Sequence, residues 1–209
     1  MYLRTEGVIL KHRNFGEADR ILTIYTRDYG KIVALAKGVR RPRSRKAGHV
    51  ELGSWCKIFV ARGKNIDLLT EVEIKRAFGI DNFTEEKTNK VYHLLELVEN
   101  LTPERQKNPK VFLLLVHFLK KLDHEDFDFV SSVFKIKLLS ILGFFSSSQL
   151  SESQTKQVIQ ILEEEEFEDS KSKIRLSQQA HLKLLTFLDS MVETIADSKL
   201  KTVRFLKLE

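Results

Sequence analysis

The amino-acid sequence predicts an α+β protein of two domains, with a small β domain at residues 1–80 and an all-helical domain at residues 81–209. The spacing of apolar residues supports this division, because it follows a period of two up to about residue 74 and a period of 3.6 after about residue 83. Turns that contain glycine recur about every dozen residues in the first part only. A length of 209 residues also suits two domains, since one domain typically has roughly 100–150 residues.

The β domain is predicted to contain five strands. Runs of β-branched and apolar residues place them at about residues 5–11, 21–26, 31–36, 54–61 and 66–74. In the last strand, strict alternation predicts that five residues face the core: Ile66, Leu68, Thr70, Val72 and Ile74. Five strands in about 75 residues predict an OB-fold barrel, whose concave face and flanking loops are available to bind oligonucleotides. An SH3-like barrel fits the strand count almost as well.

The second domain is predicted to be all-helical. Its first helix follows Thr84, a suitable N-cap residue, and later ones are expected at about residues 110–122, 129–142, 152–165, 177–196 and 201–207. Pro109 suits a first helical position. Residues 123–128 are expected to form an interhelical loop with an N-cap. The acidic run from Glu163 to Glu166, continuing to Asp169, is expected to be a solvated helix end and loop, because consecutive carboxylates on a helix diverge.

The positive charge is concentrated in the β domain. Residues 1–80 hold 17 Lys and Arg against 8 Asp and Glu, whereas residues 81–209 hold 18 against 21, and the whole chain has a net charge of +6. Such asymmetry indicates a polyanionic partner for the N-terminal domain.

The densest positive segment is the basic loop, defined here as residues 37–46, which holds six cations in ten positions between the third and fourth strands. Four of the six are arginines, which suit bidentate contact with phosphate and stacking on unpaired bases. We predict a DNA-binding site made of these six and of four neighbouring cations: Lys37, Arg40, Arg41, Arg43, Arg45, Lys46, Lys31, Lys57, Arg62 and Lys64. The alternative is a solubilising loop that binds no partner.

Four aromatic residues of the β domain are possible stacking faces for bases, although the barrel core is the expected place for each: Tyr25, Tyr29, Trp55 and Phe59.

The sequence also limits the chemistry of the protein. Cys56 is the only cysteine, which excludes an intramolecular disulfide and a multi-thiolate metal site and is ordinary for a reducing cytoplasm. We expect Cys56 to be an inert strand residue. The sequence shows no export signal, no membrane-spanning stretch and no nucleophile elbow or phosphate-binding loop, and its six histidines are scattered. The protein is therefore predicted not to be an enzyme and to need no cofactor or metal.

Four ordered motifs in the first 75 residues resemble the RecO family: residues 6–11 (EGVILK), 16–23 (GEADRILT), 29–34 (YGKIVA) and 36–44 (AKGVRRPRS). The remainder is similar only in its helical character and in residues 137–144 (KLLSILGF). The second motif is expected to be structural, because Gly16 permits a tight turn and Glu17 and Asp19 flank Arg20 closely enough for charge pairing.

The resemblance implies a DNA repair and recombination mediator, cytoplasmic and associated with the nucleoid. Such proteins bind single- and double-stranded DNA, anneal complementary strands, work with RecR and with the single-stranded-DNA-binding protein, and help to load RecA. Many RecO proteins carry a four-cysteine zinc site soon after the Leu-Gly-Phe phrase. Here Gly143 is followed by FFSSSQ, so we predict no zinc, and helix packing must stabilise this segment unless it is partly loose. The rival hypotheses are an OB-fold RNA- or ribosome-associated binding protein and a scaffold that binds proteins only.

Overall fold

The fold is described from a computed structural model, which describes residues 1–44, 46–78, 84–149, 154–174 and 177–206. The strands are β1 (Tyr2–Phe15), β2 (Asp19–Thr26), β3 (Gly30–Ala36), β4 (Ser54–Ala61) and β5 (Asp67–Ala77). The helices are α1 (Glu85–Leu101), α2 (Pro109–Lys121), α3 (Phe127–Ile141), α4 (Gln154–Glu164), α5 (Phe167–Lys173), α6 (Gln178–Ala196) and α7 (Val203–Leu206). The predicted succession of strands and then helices is confirmed.

The five strands form a closed barrel in the order β1, β2, β3, β5, β4. Strand β1 pairs antiparallel with both β2 and β4, while β3 and β5 are parallel. The predicted OB-type barrel is confirmed. Its interior is filled by alternating apolar residues that are almost fully buried, among them Leu3, Ile9, Leu22, Ile24, Ile32, Ile58, Val60 and Leu69.

The predicted inward face of β5 is only half right. Phe59 pairs with Glu71, but the next residue of β4 pairs with Leu69, so Thr70 is an extra residue in a β-bulge. The bulge changes the alternation: Leu69 faces the core before it, and Val72 and Ile74 pack against the core after it. The prediction is correct for Val72 and Ile74. It is wrong for Leu68 and Thr70, which are half-buried, and for Ile66, which precedes the strand.

The chain packs as two compact units. The first comprises Met1–Lys120 together with the segment that begins at Lys201, and the second comprises Lys121–Leu200. The boundary between these units differs from the domain boundary predicted at residue 80. That domain boundary stays a prediction.

In the first unit, the segments after β5 are tied to the barrel through β3. The Lys31 ammonium on β3 donates to the carbonyl of Glu99 on α1, and the Arg105 amide donates to the carbonyl of Lys31 at 2.8 Å. Thr84 caps α1 by accepting a hydrogen bond from the amide of Lys87 at 3.4 Å, and Pro109 begins α2, both as predicted.

In the second unit, α3 packs against α4 and α6. The expected N-cap between α2 and α3 is Asp126, whose carboxylate accepts from the amide of Phe129 at 2.9 Å.

The prediction for the acidic run is wrong on two points. Helix α4 ends at Glu164, and Glu165 and Glu166 lie between helices as predicted, but Phe167 begins a further helix, α5, which contains the continuation of the run. Glu163 is not merely solvated, since its carboxylate accepts from the Ser140 hydroxyl at 2.7 Å and from the Ser147 amide at 2.9 Å. These hydrogen bonds hold the segment after Gly143, where Phe145 and Ser147 are buried. Sequence reasoning missed this anchor because its partners lie 16 and 23 residues from Glu163.

Candidate nucleic-acid interface

The basic loop is anchored on the turn between β1 and β2. The Arg40 amide donates to the Ala18 carbonyl at 2.9 Å, and the Arg40 guanidinium donates to the Gly16 carbonyl at 3.2 Å. The Gly38 amide donates to the Asp19 carboxylate at 2.7 Å. These three hydrogen bonds join the loop to the turn. The loop and the turn are therefore held in a fixed position relative to each other.

The rest of the loop is a series of tight turns along β5. The Ser44 amide donates to the Arg41 carbonyl at 2.9 Å, and the Lys46 ammonium donates to the Leu69 carbonyl at 3.3 Å. A short 3₁₀ turn, Ala47–His49, follows, and a ring nitrogen of His49 lies 3.2 Å from the Val72 carbonyl. The described residues of the loop are therefore held by hydrogen bonds to one another and to β5.

Four of the six predicted loop cations are exposed at this anchored site: Lys37, Arg40, Arg41 and Arg43. Lys46 is half-buried with its ammonium on the carbonyl of Leu69. Arg45 lies outside the described residues. The structure thus brings together a compact set of exposed cations on the β3–β4 loop.

The other four predicted cations lie elsewhere on the barrel. Lys31 is half-buried against α1, and this burial lowers its pKa although Glu99 and Glu104 act in the opposite direction. Lys57 forms an ion pair with Glu73 at 3.5 Å on the outside of the sheet. Arg62 and Lys64 are exposed in the turn between β4 and β5. The nine predicted residues that the structure describes therefore do not form one continuous cluster.

The aromatic residues divide between the core and the outer face. Tyr25 is buried, as expected, and burial raises its pKa to about 12. Tyr29 packs against the core. The expectation of a core position is wrong for Trp55 and Phe59, which are half-buried on the outer face because their buried neighbours in β4 occupy the inner one. The Trp55 ring lies under the Lys75 ammonium at 4.2 Å, and Phe59 stacks on Tyr2.

The turn motif is structural, but not through the predicted ion pairs. The Arg20 guanidinium lies 2.7 Å from the carboxylate of Glu51, and Asp19 instead accepts from the amide of Gly38. His12 lies beside the same pair, and burial together with the charge of Arg20 lowers its pKa. At neutral pH the imidazole is therefore uncharged and adds nothing to the cationic surface.

Two exposed residues beside the basic loop were missed by sequence reasoning. Phe15, the last residue of β1, has half of its surface exposed, and Arg13 is exposed two residues earlier. The signal available in the sequence was the position of Phe15 immediately before the turn glycine, Gly16.

Neither a metal-binding cluster nor an exposed cysteine is present in the described parts of the chain. Cys56 lies in β4, as predicted, and is fully buried, and burial raises the pKa of its thiol to about 12, which agrees with the expected inert character. In the described residues no group of three or more His, Cys, Asp or Glu side chains could hold a metal ion. The described helices include none that is both long enough and apolar enough to cross a membrane.

Two family models match the chain. Residues 1–78 match the N-terminal domain of recombination protein O, and residues 87–149 match its C-terminal domain. The similarity of the helical part is thus more extensive than the single phrase at residues 137–144 indicated.

Curated relatives named DNA repair protein RecO show the same similarity. The protein of Pelotomaculum thermopropionicum is 33% identical over 141 residues, which is 68% of this chain and 55% of the relative. The protein of Symbiobacterium thermophilum is 37% identical over 143 residues, or 66% of this chain and 56% of the relative. The chain therefore spans little more than half the length of these relatives. The N-terminal and C-terminal family models match in the order expected along the sequence, and the strands and helices follow the predicted order. The chain therefore belongs to the RecO family.

Proposed function

We propose that this protein is a DNA repair and recombination mediator that binds single- and double-stranded DNA through the basic loop. The supporting observation is the group of four exposed cations, Lys37, Arg40, Arg41 and Arg43, on a loop that three hydrogen bonds fix to the barrel. Clustered like charges repel, and the phosphates of a polyanion relieve this repulsion. The bound side chains also displace counterions that were condensed on the phosphates. The proposal is for binding without catalysis.

The remaining parts of the proposed role follow from family membership. We propose that the protein anneals complementary strands, works with RecR on DNA coated by the single-stranded-DNA-binding protein, and indirectly helps to load RecA. An associated proposal is its location in the cytoplasm at the nucleoid. Phosphate contacts suit annealing, because they hold a strand in register without reading its sequence.

The central test replaces the four exposed loop cations by glutamine, which keeps side-chain length and polarity. If each contacts one phosphate of a single strand, the slope of log affinity against log salt becomes shallower by about three. Binding of a fluorescent oligonucleotide should be measured from low to physiological salt for single strands and for duplex. Circular dichroism should show the same fold as the parent protein.

A control variant with the same charge change replaces four exposed lysines outside the loop by glutamine: Lys110, Lys183, Lys199 and Lys201. It should keep most of the affinity and the slope of the parent. Equal losses in the two variants would show that net charge, and not the loop, governs binding.

The alternative, an OB-fold RNA- or ribosome-associated protein, makes a different prediction. Competition between DNA and RNA strands of equal length, combined with an assay of strand annealing, separates the two functions. A strong preference for RNA without annealing would support the alternative, and binding to neither would support a scaffold for proteins.

A further inference from the structure

Phe15 is an exposed aromatic ring at the edge of the proposed DNA-binding site. It has 50% of its surface exposed, although it is the last residue of a barrel strand. Tyr2, the other strongly exposed aromatic residue described in the barrel, stacks on Phe59 with 5.3 Å between ring centroids. No ring or cation contact is found for Phe15 in the described parts of the chain. Half of the surface of this residue is therefore open to a ligand.

The backbone beneath this ring is firmly held. Phe15 pairs with Asp19 at the point where β1 and β2 meet, and Gly16 follows with a φ of 55°. The next carbonyl, that of Gly16, accepts a hydrogen bond from the Arg40 guanidinium, and the carboxylate of Asp19 accepts from the amide of Gly38. The same contacts that anchor the basic loop thus fix the position of Phe15.

Two arginines are near Phe15 along the backbone. Arg13 is exposed and, two residues before Phe15 on a strand, it projects to the same side of the sheet. Arg40 reaches the residue immediately after Phe15. An exposed aromatic ring and two arginines on neighbouring parts of the backbone supply the two elements by which proteins hold single strands, which are base stacking and neutralisation of neighbouring phosphates.

We propose that Phe15 is a stacking platform for an unpaired base of single-stranded DNA, with Arg13 and Arg40 contacting the flanking phosphates. This inference rests on the proposed function and adds to it the source of a preference for single strands. In a duplex the faces of the bases are already stacked on one another, so the Phe15 ring can act only on a single strand. The basic loop, which contacts phosphates, acts on both.

The test compares the parent protein with Phe15→Ala on three ligands of equal length: a single-stranded oligonucleotide, the same strand with abasic sites in place of its bases, and a duplex. Loss of one stacking aromatic should weaken binding of the normal single strand by about five- to 100-fold. Binding of the abasic strand and of the duplex should be unchanged, because both depend on phosphate contacts. Phe15→Trp should restore the preference.

A second readout reports stacking directly. An oligonucleotide that carries 2-aminopurine should change its fluorescence when it binds the parent protein and should change less with Phe15→Ala at saturating concentrations. Phe144→Ala, which removes a ring that is 46% exposed in the second compact unit, is the matched control and should behave like the parent.

The outcomes separate this inference from the proposed function. Equal affinity of Phe15→Ala and the parent for the normal strand would overturn the stacking role, as would an equal loss on normal and abasic strands, while binding through the loop would stand. If Phe15 instead contacts a protein partner, DNA binding is unchanged, and the inference fails. Absence of DNA binding by the parent would refute the proposed function itself.

Discussion

At the scale of single residues, two glycines of the barrel have the same backbone requirement and different surroundings. Gly16 has a φ of 55° and Gly30 a φ of 68°, a region that side chains with a Cβ rarely adopt. A Cβ on Gly16 would meet no atom within 4 Å, whereas one on Gly30 would lie 2.0 Å from the carbonyl oxygen of Gln106. Gly30 therefore allows the segment after α1 to approach the turn between β2 and β3.

We predict that Gly30→Ala destabilises the protein more than Gly16→Ala. The left-handed conformation alone should cost about 1–2 kcal/mol at either site. At Gly30 the backbone of Gln106 must also move, which should add about 1–3 kcal/mol. Urea denaturation of the two variants and the parent measures the difference. Equal decreases in the free energy of unfolding for the two variants would mean that the segment around Gln106 moves without destabilising the protein.

At the scale of elements, the segment between α3 and α4 is held by a carboxylate. Glu163 accepts from the Ser140 hydroxyl and the Ser147 amide, and the Lys137 ammonium donates to the carbonyls of Glu163 and Glu165 at 3.0 and 2.7 Å. Hydrogen bonds and the burial of Phe145 therefore stabilise this segment.

We predict that Glu163→Ala lowers the free energy of unfolding by about 1–3 kcal/mol, because the buried Ser147 amide loses its acceptor. Glu164→Ala is the matched control: this residue is exposed and, among the described residues, its carboxylate accepts from the Gln160 side chain alone, so the change should stay within about 0.5 kcal/mol. Thermal unfolding of both variants at pH 7 checks the prediction. Similar midpoints for the two would contradict an anchoring role.

The same contact predicts a dependence on pH. Burial acts to raise the pKa of Glu163, but hydrogen bonds from Ser147 and Ser140 and the charge of Lys137 outweigh it, so the pKa lies below its usual value of 4.5. A lowered carboxyl pKa contributes stability that is present above the usual value and is lost as the pH falls through the lowered one.

We therefore expect the stability difference between the parent and Glu163→Gln to be constant from pH 7 to about pH 5 and to shrink below pH 4.5. Unfolding midpoints measured across this range test the expectation. A difference that persists at the acid end would mean that the carboxylate charge is not what holds the segment.

At the scale of the whole molecule, the barrel contacts residues that come well after its last strand in the sequence. The Arg105 guanidinium lies 3.2 Å from the carboxylate of Asp67, which is 2% exposed, and the Tyr25 hydroxyl donates to the Asn108 carbonyl at 3.4 Å. The amide of Thr202 donates to the carboxylate of Glu96 on α1 at 3.0 Å. The first compact unit therefore contains segments that precede and follow the second unit along the chain.

These contacts predict that a fragment of residues 1–80 is less stable than one of residues 1–120. The shorter fragment leaves the buried carboxylate of Asp67 without Arg105, and the loss of such a charged hydrogen bond should cost at least about 2 kcal/mol. Denaturant titration of the two fragments measures this. Equal stabilities would support an independent domain that ends at residue 80.

Several features of this protein were determined by the sequence alone. The five strands, the helices other than α5, the cap at Thr84 and the presence of a cap within residues 123–128 follow from local patterns, because each depends on residues a few positions apart. The basic loop was equally evident, since its charges are consecutive. The four N-terminal motifs indicated the family for the same reason.

Only the tertiary structure decided the rest. It determined the bulge at Thr70, the pairing of Arg20 with Glu51, the anchoring role of Glu163 and the exposure of Phe15 beside Arg40. Each of these depends on partners that are distant along the chain and meet only when the barrel closes or the helices pack. Local spacing carries no information about contacts between residues that are distant in the sequence. The sequence therefore identified the cations of the site but not the geometry that holds them.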